Sequence, residues 1–467
     1  MILKSRIFLS FYGDDFTGST DVMESLALNG IRTALFLKPP TQDQVESFQL
    51  KNSIDGTGEK SIDAFGVAGV ARSLRVSDME QELRPVFEAL KKIPADFFHY
   101  KVCSTFDSSP EIGSIGYAAD LAYEYFPSPA VPLLVGAPFL NRFCLFGNLF
   151  ARIDGITYRL DRHPTMSKHP VTPMTESDLR LHLGKQTKRP VELVDLFTLE
   201  TDTAEQDSHY KKYAGNGNIV LFDTCNSQHL LAVGRLVIEH KAPGTQLLVG
   251  ASGTEYALAF HLHKTGKLKK PPSPPSPGEA EAVIAMSGSC APTTGIQIDH
   301  AIQQGFADIR LDTIKLVDPE RSRAEMQRVK QAALKILENG QSVMIYSAKG
   351  PDDPVIAQTK QFLKSSGLED MSTSQVLAAD QGKILKSILD AAGIKRVVVC
   401  GGDTSGHVAR ELGIVALETL MPVAPGAPLC TAHSEDSRFD GMQISLKGGQ
   451  NGKQKYIESV LKGVNLD

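Results

Sequence analysis

Ile7-Phe8-Leu9-Ser10-Phe11-Tyr12, running into Gly13-Asp14-Asp15-Phe16-Thr17-Gly18-Ser19-Thr20-Asp21, is the stretch whose reading decides the fold. The first six residues form a short apolar, aromatic-rich run stopped by glycine, the pattern of a buried strand in a parallel sheet. The two carboxylates then sit just past the strand's carboxyl end, where open α/β sheets bind their ligands. Thr17, Ser19 and Thr20 offer N-cap hydroxyls for the apolar stretch Val22 to Leu28, so the predicted unit is strand, acidic turn, helix. Adjacent aspartates repel, and a helix N-terminus offsets part of that cost through its dipole. The plain structural alternative is that these residues only cap the helix.

A second chemical reading of paired acids at a strand end is a phosphoryl-aspartate enzyme, with one carboxylate as nucleophile and the other as acid. Phosphatases of the haloacid dehalogenase type separate their two aspartates by one residue. Asp14 and Asp15 are adjacent, which weighs against that chemistry.

Outward from this turn, the 467 residues suffice for two large α/β domains, each with its own core. A formal charge of -5 with interspersed signs gives no basic stripe for nucleic acid or an anionic membrane, so small-molecule partners are expected. The six cysteines are scattered and form no C-x-x-C pair or zinc spacing, which suggests reduced thiols in a cytoplasmic protein. The apolar core of Met1 to Tyr12 is too short for a secretory signal, and no run approaches the roughly 20 residues of a membrane span.

Strands are expected at Ile31 to Leu37, Ala64 to Val70, Ala95 to Val102 and Val131 to Val135, with Ser77-Asp78-Met79-Glu80 as a capping box before a helix towards Lys92. The fourth strand of the domain delivers Lys101-Val102-Cys103-Ser104-Thr105-Phe106-Asp107. Those residues suit a polyhydroxy acid: Lys101 for the carboxylate, and Ser104, Thr105 and Asp107 for hydroxyls. A Ser-rich helix-capping turn is the structural alternative. Gly136-Ala137-Pro138 and Asn141-Arg142 follow the next strand. The proline-rich segment 162–174, with His163 and His169, reads as an ordered functional loop. Further strands are expected near Val191, Ile219 and Leu247, the last ending in a small-residue turn, Gly250-Ala251-Ser252-Gly253-Thr254, suited to an anion.

Pro271 to Gly278 reads as an extended linker, giving a first domain of residues 1–268, a linker of 269–280 and a second domain of 281–467. The second domain restarts with strand Ala282 to Met286 and the turn Ser287-Gly288-Ser289-Cys290, a phosphate-friendly arrangement that lacks a Walker A lysine. A β-branched strand, Lys395 to Cys400, delivers Gly401-Gly402-Asp403-Thr404-Ser405-Gly406 onto a helix from Val408. After strand Gly441 to Leu446 comes a third open turn, Lys447-Gly448-Gly449-Gln450-Asn451-Gly452. Glycine lets backbone approach phosphate closely, so three such turns point to a nucleotide site.

These motifs, taken in order with His169-Pro170-Val171-Thr172-Pro173-Met174 and Ala424-Pro425-Gly426, resemble the four-carbon acid sugar kinases along essentially the whole chain. The resemblance implies an α/β fold of two domains with mainly parallel sheets, the first binding a sugar acid and the second ATP with Mg²⁺. Cys103-Ser104-Thr105-Phe106-Asp107-Ser108 stands where many members carry Asp-Ser-Thr-x-Arg-Gly, and looks like the 3-oxo-tetronate branch. A keto acid is therefore the first expected substrate. A branched oxo-acid such as 3-oxo-isoapionate, or threonate or erythronate, are the alternatives within the family. The resemblance implies transfer of the ATP γ-phosphoryl group to a terminal hydroxyl, with domain closure excluding water. Asp14 or Asp15 would take the proton, while Thr17, Lys101, Ser104, Thr105, Asp107 and His169 bind substrate. Ser287, Gly401, Gly402, Asp403, Thr404 and Gly449 would bind the nucleotide, with the metal ligands left open. A homodimer is compatible with this reading, as are, from other classes, a haloacid-type phosphatase and a non-catalytic ligand-binding module.

Overall fold

The computed structural model describes residues 6–52, 56–153, 155–367 and 373–466. The first five residues, which belong to the stretch read as too short for a signal, lie outside that set. The chain divides into two compact units, Met1–Pro272 and Ser273–Asp467. Among the described residues no helix is long and apolar enough to cross a membrane.

The first unit contains strands β1 (Ile7–Gly13), β2 (Thr33–Phe36), β3 (Ala64–Ala68), β4 (Ala95–Lys101), β5 (Ala130–Leu134), β6 (Arg142–Leu145), β7 (Asn148–Ile153), β8 (Ile156–Arg159), β9 (Val191–Val194), β10 (Asn218–Phe222) and β11 (Gln246–Gly250). Eight of them form its main sheet in the order β2-β3-β1-β4-β11-β5-β10-β9, with every pair parallel. After β1 the chain builds outward to one side, through β2 and β3, before crossing to β4 on the other. The carboxyl ends of β1 and β4 therefore flank a topological switch point, the place where such sheets open a ligand crevice.

Helices cover this sheet because their apolar residues recur at helical spacing. The helix Val76–Lys91 buries Met79, Leu83, Val86, Phe87 and Leu90. Phe87 packs edge-on to Tyr12, Phe98 and Tyr100. Burying such side chains contributes about 1.5–3 kcal/mol each. This helix corrects the expected capping box: it begins at Val76 with Arg75 as N-cap and no side-chain cap, and the Ser77 hydroxyl turns to Asp78 Oδ1. Val76 N–H is held instead by the Glu111 carbonyl at 3.1 Å, beside an Arg75–Ile112 bridge, so a long-range contact rather than a local hydroxyl sets the start.

β6, β7 and β8 form a small antiparallel sheet absent from the sequence reading. Its first turn, Phe146-Gly147, has both φ angles positive, 51° and 78°, the backbone of a type I′ hairpin. Phenylalanine is a poor residue there. Asp223 fixes the turn by accepting from both N–H groups, at 2.5 and 2.9 Å.

The second unit contains β12 (Ile284–Ser287), β13 (Ala307–Arg310), β14 (Val343–Tyr346), β15 (Arg396–Cys400), β16 (Ile414–Ala424), β17 (Ala427–Ser434) and β18 (Gln443–Lys447), ordered β13-β14-β12-β15-β18-β17-β16. β13, β14, β12, β15 and β18 are parallel to one another. β17 pairs antiparallel to both β18 and β16. The β16–β17 hairpin, which turns at Pro425-Gly426, was also missed. Here the switch point lies between β12 and β15. Each unit is thus α/β with a mainly parallel sheet.

Candidate active site

At the switch point of the first unit the two aspartates divide their work. Asp14 extends the sheet, its N–H donating to the Lys101 carbonyl at 2.9 Å and its carbonyl accepting from Arg72 N–H at 3.0 Å. Its side chain is buried, and Oδ1 has no hydrogen-bond partner among the described residues. Burial, reinforced by Asp15 and opposed by Arg72 and Lys101, pushes the Asp14 carboxyl up to about 8. Asp15 is the N-cap of the helix Phe16–Leu28: Oδ1 accepts from Gly18 N–H at 2.8 Å, and Oδ2 pairs with Arg72 at 2.7 Å. The cap is therefore Asp15 itself and not Thr17, Ser19 or Thr20, because the helix starts one residue after it. Thr17 lies half-buried in the first turn. A Cβ on Gly13 would come within 2.9 Å of the Ser19 backbone, so only glycine lets helix and strand approach this closely.

Lys101, at the end of β4, is buried and pairs with Asp21 at 3.5 Å. Burial works against its charge, yet Asp21, with Cys103 and Glu255 beyond, holds it above the ordinary lysine range. Asp21 also accepts from the Ser252 hydroxyl. The small-residue turn before the helix Gly253–Lys264 meets this carboxylate through the Ser252 hydroxyl, and not through the backbone N–H groups expected of it. Lys101 is consequently committed, and its expected pairing with a substrate carboxylate would displace Asp21.

The next turn is closed by Phe106 N–H to the Cys103 carbonyl at 2.9 Å. Phe106 is buried with φ at 57°, an uncommon conformation for a bulky residue and one found at functional turns. Ser104, Thr105 and Asp107 are half-buried around it. The Thr105 hydroxyl lies 3.0 Å from Cys103 Sγ, and Asp107 Oδ1 is buried without a hydrogen-bond partner among the described residues. Asp107 and Asp15 both raise the Asp14 carboxyl, so the turns after β1 and β4 form one cluster. Arg72, in the short turn after β3, joins it: burial opposes its charge, but Asp15, Cys103, Asp14 and Asp107 hold it above the usual range. His169 stays local, its Nδ1 accepting from Thr172 N–H at 3.1 Å.

In the second unit a cavity of about 520 Å³ opens at the switch point. Its lining includes Gly288, Ser289, Gly401, Gly402, Asp403, Thr404 and Gly449, together with the apolar Val355, Ile356 and Leu377. Gly401 leaves β15 with φ at 121° and caps the helix Gly402–Glu411 without a side-chain bond, leaving that helix's first N–H groups available to an anion. Gly402 to Thr404 were expected in the turn and lie in the first helical turn. Thr404 does not offer its hydroxyl to a ligand, since that hydroxyl donates to Gln381 Oε1 at 2.9 Å, and Gln381 Nε2 donates to the Ser287 carbonyl at 3.0 Å. Ser287 is buried beneath the turn, its hydroxyl accepting from Ser289 N–H. A Cβ on Gly449 would strike Ser289 Oγ at 2.4 Å. Lys447 is buried, donating to the Gly448 carbonyl at 2.9 Å and Thr294 Oγ1 at 3.3 Å. Burial pushes its ammonium below the ordinary range. Asp403 is exposed at the helix N-terminus, with no ion pair among the described residues.

Arg72 and Gln381 were missed because neither sits in a motif. For Arg72 the available signal was topological: β3 lies beside β1 in a parallel sheet, so its carboxyl end opens on the same crevice.

Two domain families match this architecture, a sugar-binding N-terminal domain over residues 9–258 and a nucleotide-binding C-terminal domain over residues 284–457. The chain belongs to the four-carbon acid sugar kinases, phosphotransferases built from that pair of domains. It is 42% identical over 458 residues to the 3-oxo-isoapionate kinase of Paraburkholderia graminis, covering 98% of this chain and 94% of that protein. It is 26% identical over 460 residues to the 3-oxo-tetronate kinase of Pseudomonas savastanoi pv. phaseolicola, covering 98% of both. Solved structures from Salmonella typhimurium LT2 (TM-score 0.76, 24% identity, 96% of this chain and 98% of that one) and Haemophilus influenzae (TM-score 0.71, 23% identity, 97% and 98%) share the fold.

Proposed function

We propose that this protein transfers the γ-phosphoryl group of ATP to a terminal hydroxyl of a short oxo-acid, with 3-oxo-isoapionate the favoured substrate and 3-oxo-tetronate the next. The order follows the 42% identity to a 3-oxo-isoapionate kinase against 26% to a 3-oxo-tetronate kinase. The observation that carries the mechanism is the unequal commitment of the two aspartates: Asp15 has both oxygens engaged, whereas Asp14 keeps a buried oxygen free.

Asp14 is accordingly assigned as the base. It accepts the hydroxyl proton as that oxygen bonds to the γ-phosphorus and the bond from phosphorus to the β,γ-bridging oxygen breaks, releasing ADP. A positioned base contributes roughly 10²–10⁴-fold. Asp15 holds Arg72 and the helix start, and so positions Asp14. The nucleotide's phosphates fit the uncapped N-terminus of the helix Gly402–Glu411 and the turns at Gly288–Ser289 and Gly449, while its base fits the wall of Val355, Ile356 and Leu377. Mg²⁺, when bound with ATP, neutralises phosphate charge, and it commonly keeps several waters and takes one or two carboxylates. Asp403 is the exposed carboxylate on the cavity wall suited to it.

The test is ADP release measured across 3-oxo-isoapionate, 3-oxo-tetronate, threonate and erythronate. Turnover with an oxo-acid and none without acceptor is the expected result. Phosphate release from phosphorylated acids with no nucleotide present would overturn the kinase reading in favour of a phosphatase.

A further inference from the structure

Three buried side-chain atoms without hydrogen-bond partners among the described residues belong to one neighbourhood of the first unit: Asp14 Oδ1, Asp107 Oδ1 and Arg142 Nε. Asp107 lies near enough to Asp14 to disfavour its ionisation, and near enough to Arg142 to favour its charge. Two buried acceptors and one buried cationic donor are costly to leave unpaired, and a ligand with complementary groups between them would offset that cost.

Arg142 opens β6, just beyond the carboxyl end of β5. Its backbone is pinned by reciprocal bonds with Ala137, at 3.0 and 3.2 Å. Its Nη1 donates to the Leu140 and Asn141 carbonyls, both at 3.2 Å. One corner of the guanidinium is thus tied to its own turn, and among the described residues the Nε–Nη2 edge has no protein partner. That edge is the one that grips a carboxylate through two parallel hydrogen bonds. The other cations nearby are committed, Arg72 to Asp15 at 2.7 Å and Lys101 to Asp21 at 3.5 Å. Among the described residues Arg142 has no carboxylate within ion-pair distance, although burial acts against its charge.

We infer that Arg142 binds the carboxylate of the acceptor acid through its Nε–Nη2 edge, while Asp107 accepts from the acid's hydroxyls and Asp14 faces the hydroxyl that is phosphorylated. The acid then lies across the carboxyl ends of β5, β11, β4 and β1, with its polarity fixed by a cation at one end and a base at the other. This assigns to Arg142 the role that sequence reading gave to Lys101. It rests on the acid-sugar kinase reading above, and the experiment separates the two.

Binding of 3-oxo-isoapionate, 3-oxo-tetronate and erythrulose is measured by calorimetry for the wild type, Arg142→Gln and Arg142→Lys, beside ADP release. Erythrulose is 3-oxo-tetronate with a hydroxymethyl group in place of the carboxylate. Loss of a charge-assisted bidentate pair is expected to weaken acid binding about 10- to 100-fold in Arg142→Gln, with erythrulose binding unchanged, so the preference for the acid collapses. Arg142→Lys recovers only part of the loss, because an ammonium lacks the planar fork. An unchanged thermal shift with ATP shows that the variant is folded. If the glutamine variant does not fold, the lysine variant carries the test through a loss for the acid that erythrulose does not share. Equal losses for acid and ketose, unchanged acid binding, or a wild type that prefers erythrulose would each overturn the assignment. Acid binding that depends on Arg142 without ADP release would leave this assignment standing and remove the kinase reading. Acid-dependent ADP release with an unaltered KM in Arg142→Gln would do the reverse.

Discussion

Asp14 holds its proton more tightly in the folded chain than in the unfolded one, and two pH effects follow. A base must be ionised to act, so kcat/KM for the acid is expected to rise with pH and level off above an inflection near the pKa of about 8. Asp14→Asn should lower kcat by roughly 10²–10⁴-fold and abolish that inflection; a full pH–rate profile checks both. The stability effect has the opposite sign. A carboxyl whose pKa is raised on folding contributes fully below its unfolded value near 4 and loses that contribution as pH climbs through about 8. Thermal melts from pH 5 to 9 should therefore fall less steeply for Asp14→Asn than for the wild type. Asp15→Ala removes a helix cap and the Arg72 pair, so it should cost about 0.5–2 kcal/mol of stability as well as activity, read by chemical denaturation. Asp15→Asn keeps the cap and should recover most of the stability.

Among the elements, the helix Gly402–Glu411 allows nucleotide binding to be separated from folding. A Cβ on Gly402 meets nothing within 4 Å, and Gly402 lines the cavity. Gly402→Ala should leave Tm unchanged or slightly raised, as an alanine in a helix does, while raising the KM for ATP several-fold. Gly401 has φ at 121°, so Gly401→Ala should lose about 1–3 kcal/mol of stability as well as ATP affinity. Melting curves and ATP titrations on the two variants test the pair. The same scale shows what was legible in the sequence. Strands such as Arg396–Cys400 announce themselves by β-branched runs, and glycine turns at their ends mark the two crevices. The β6–β7 hairpin stayed hidden because its turn uses Phe146-Gly147, held by Asp223 from 77 and 76 residues away, and not a recognisable Asn-Gly. Arg72 and Arg142 stayed hidden because a single arginine on a loop has no pattern; only the parallel order of β3, β1, β4, β11 and β5 gives them a common address.

At the scale of the whole molecule, each of the two units carries its own crevice at its own switch point. The cavity proposed for the nucleotide is lined wholly by residues from Gly288 to Gly449. ATP should therefore raise the Tm of Asp14→Asn as much as that of the wild type, with about 2.7 kcal/mol of stabilisation at 100 times Kd. A thermal-shift titration that finds the effect lost in Asp14→Asn would contradict this independence.

Asp21 and Ser252 are 231 residues apart in sequence, and their bond helps hold Lys101, whose carbonyl fixes Asp14. A ribosome adding about 5–20 residues per second needs roughly 13–50 s to bring both partners into being. Until then the emerging polypeptide carries its acidic motif without the groups that organise it, so a chain terminated before Ser252 is expected to give no acid-dependent ADP release.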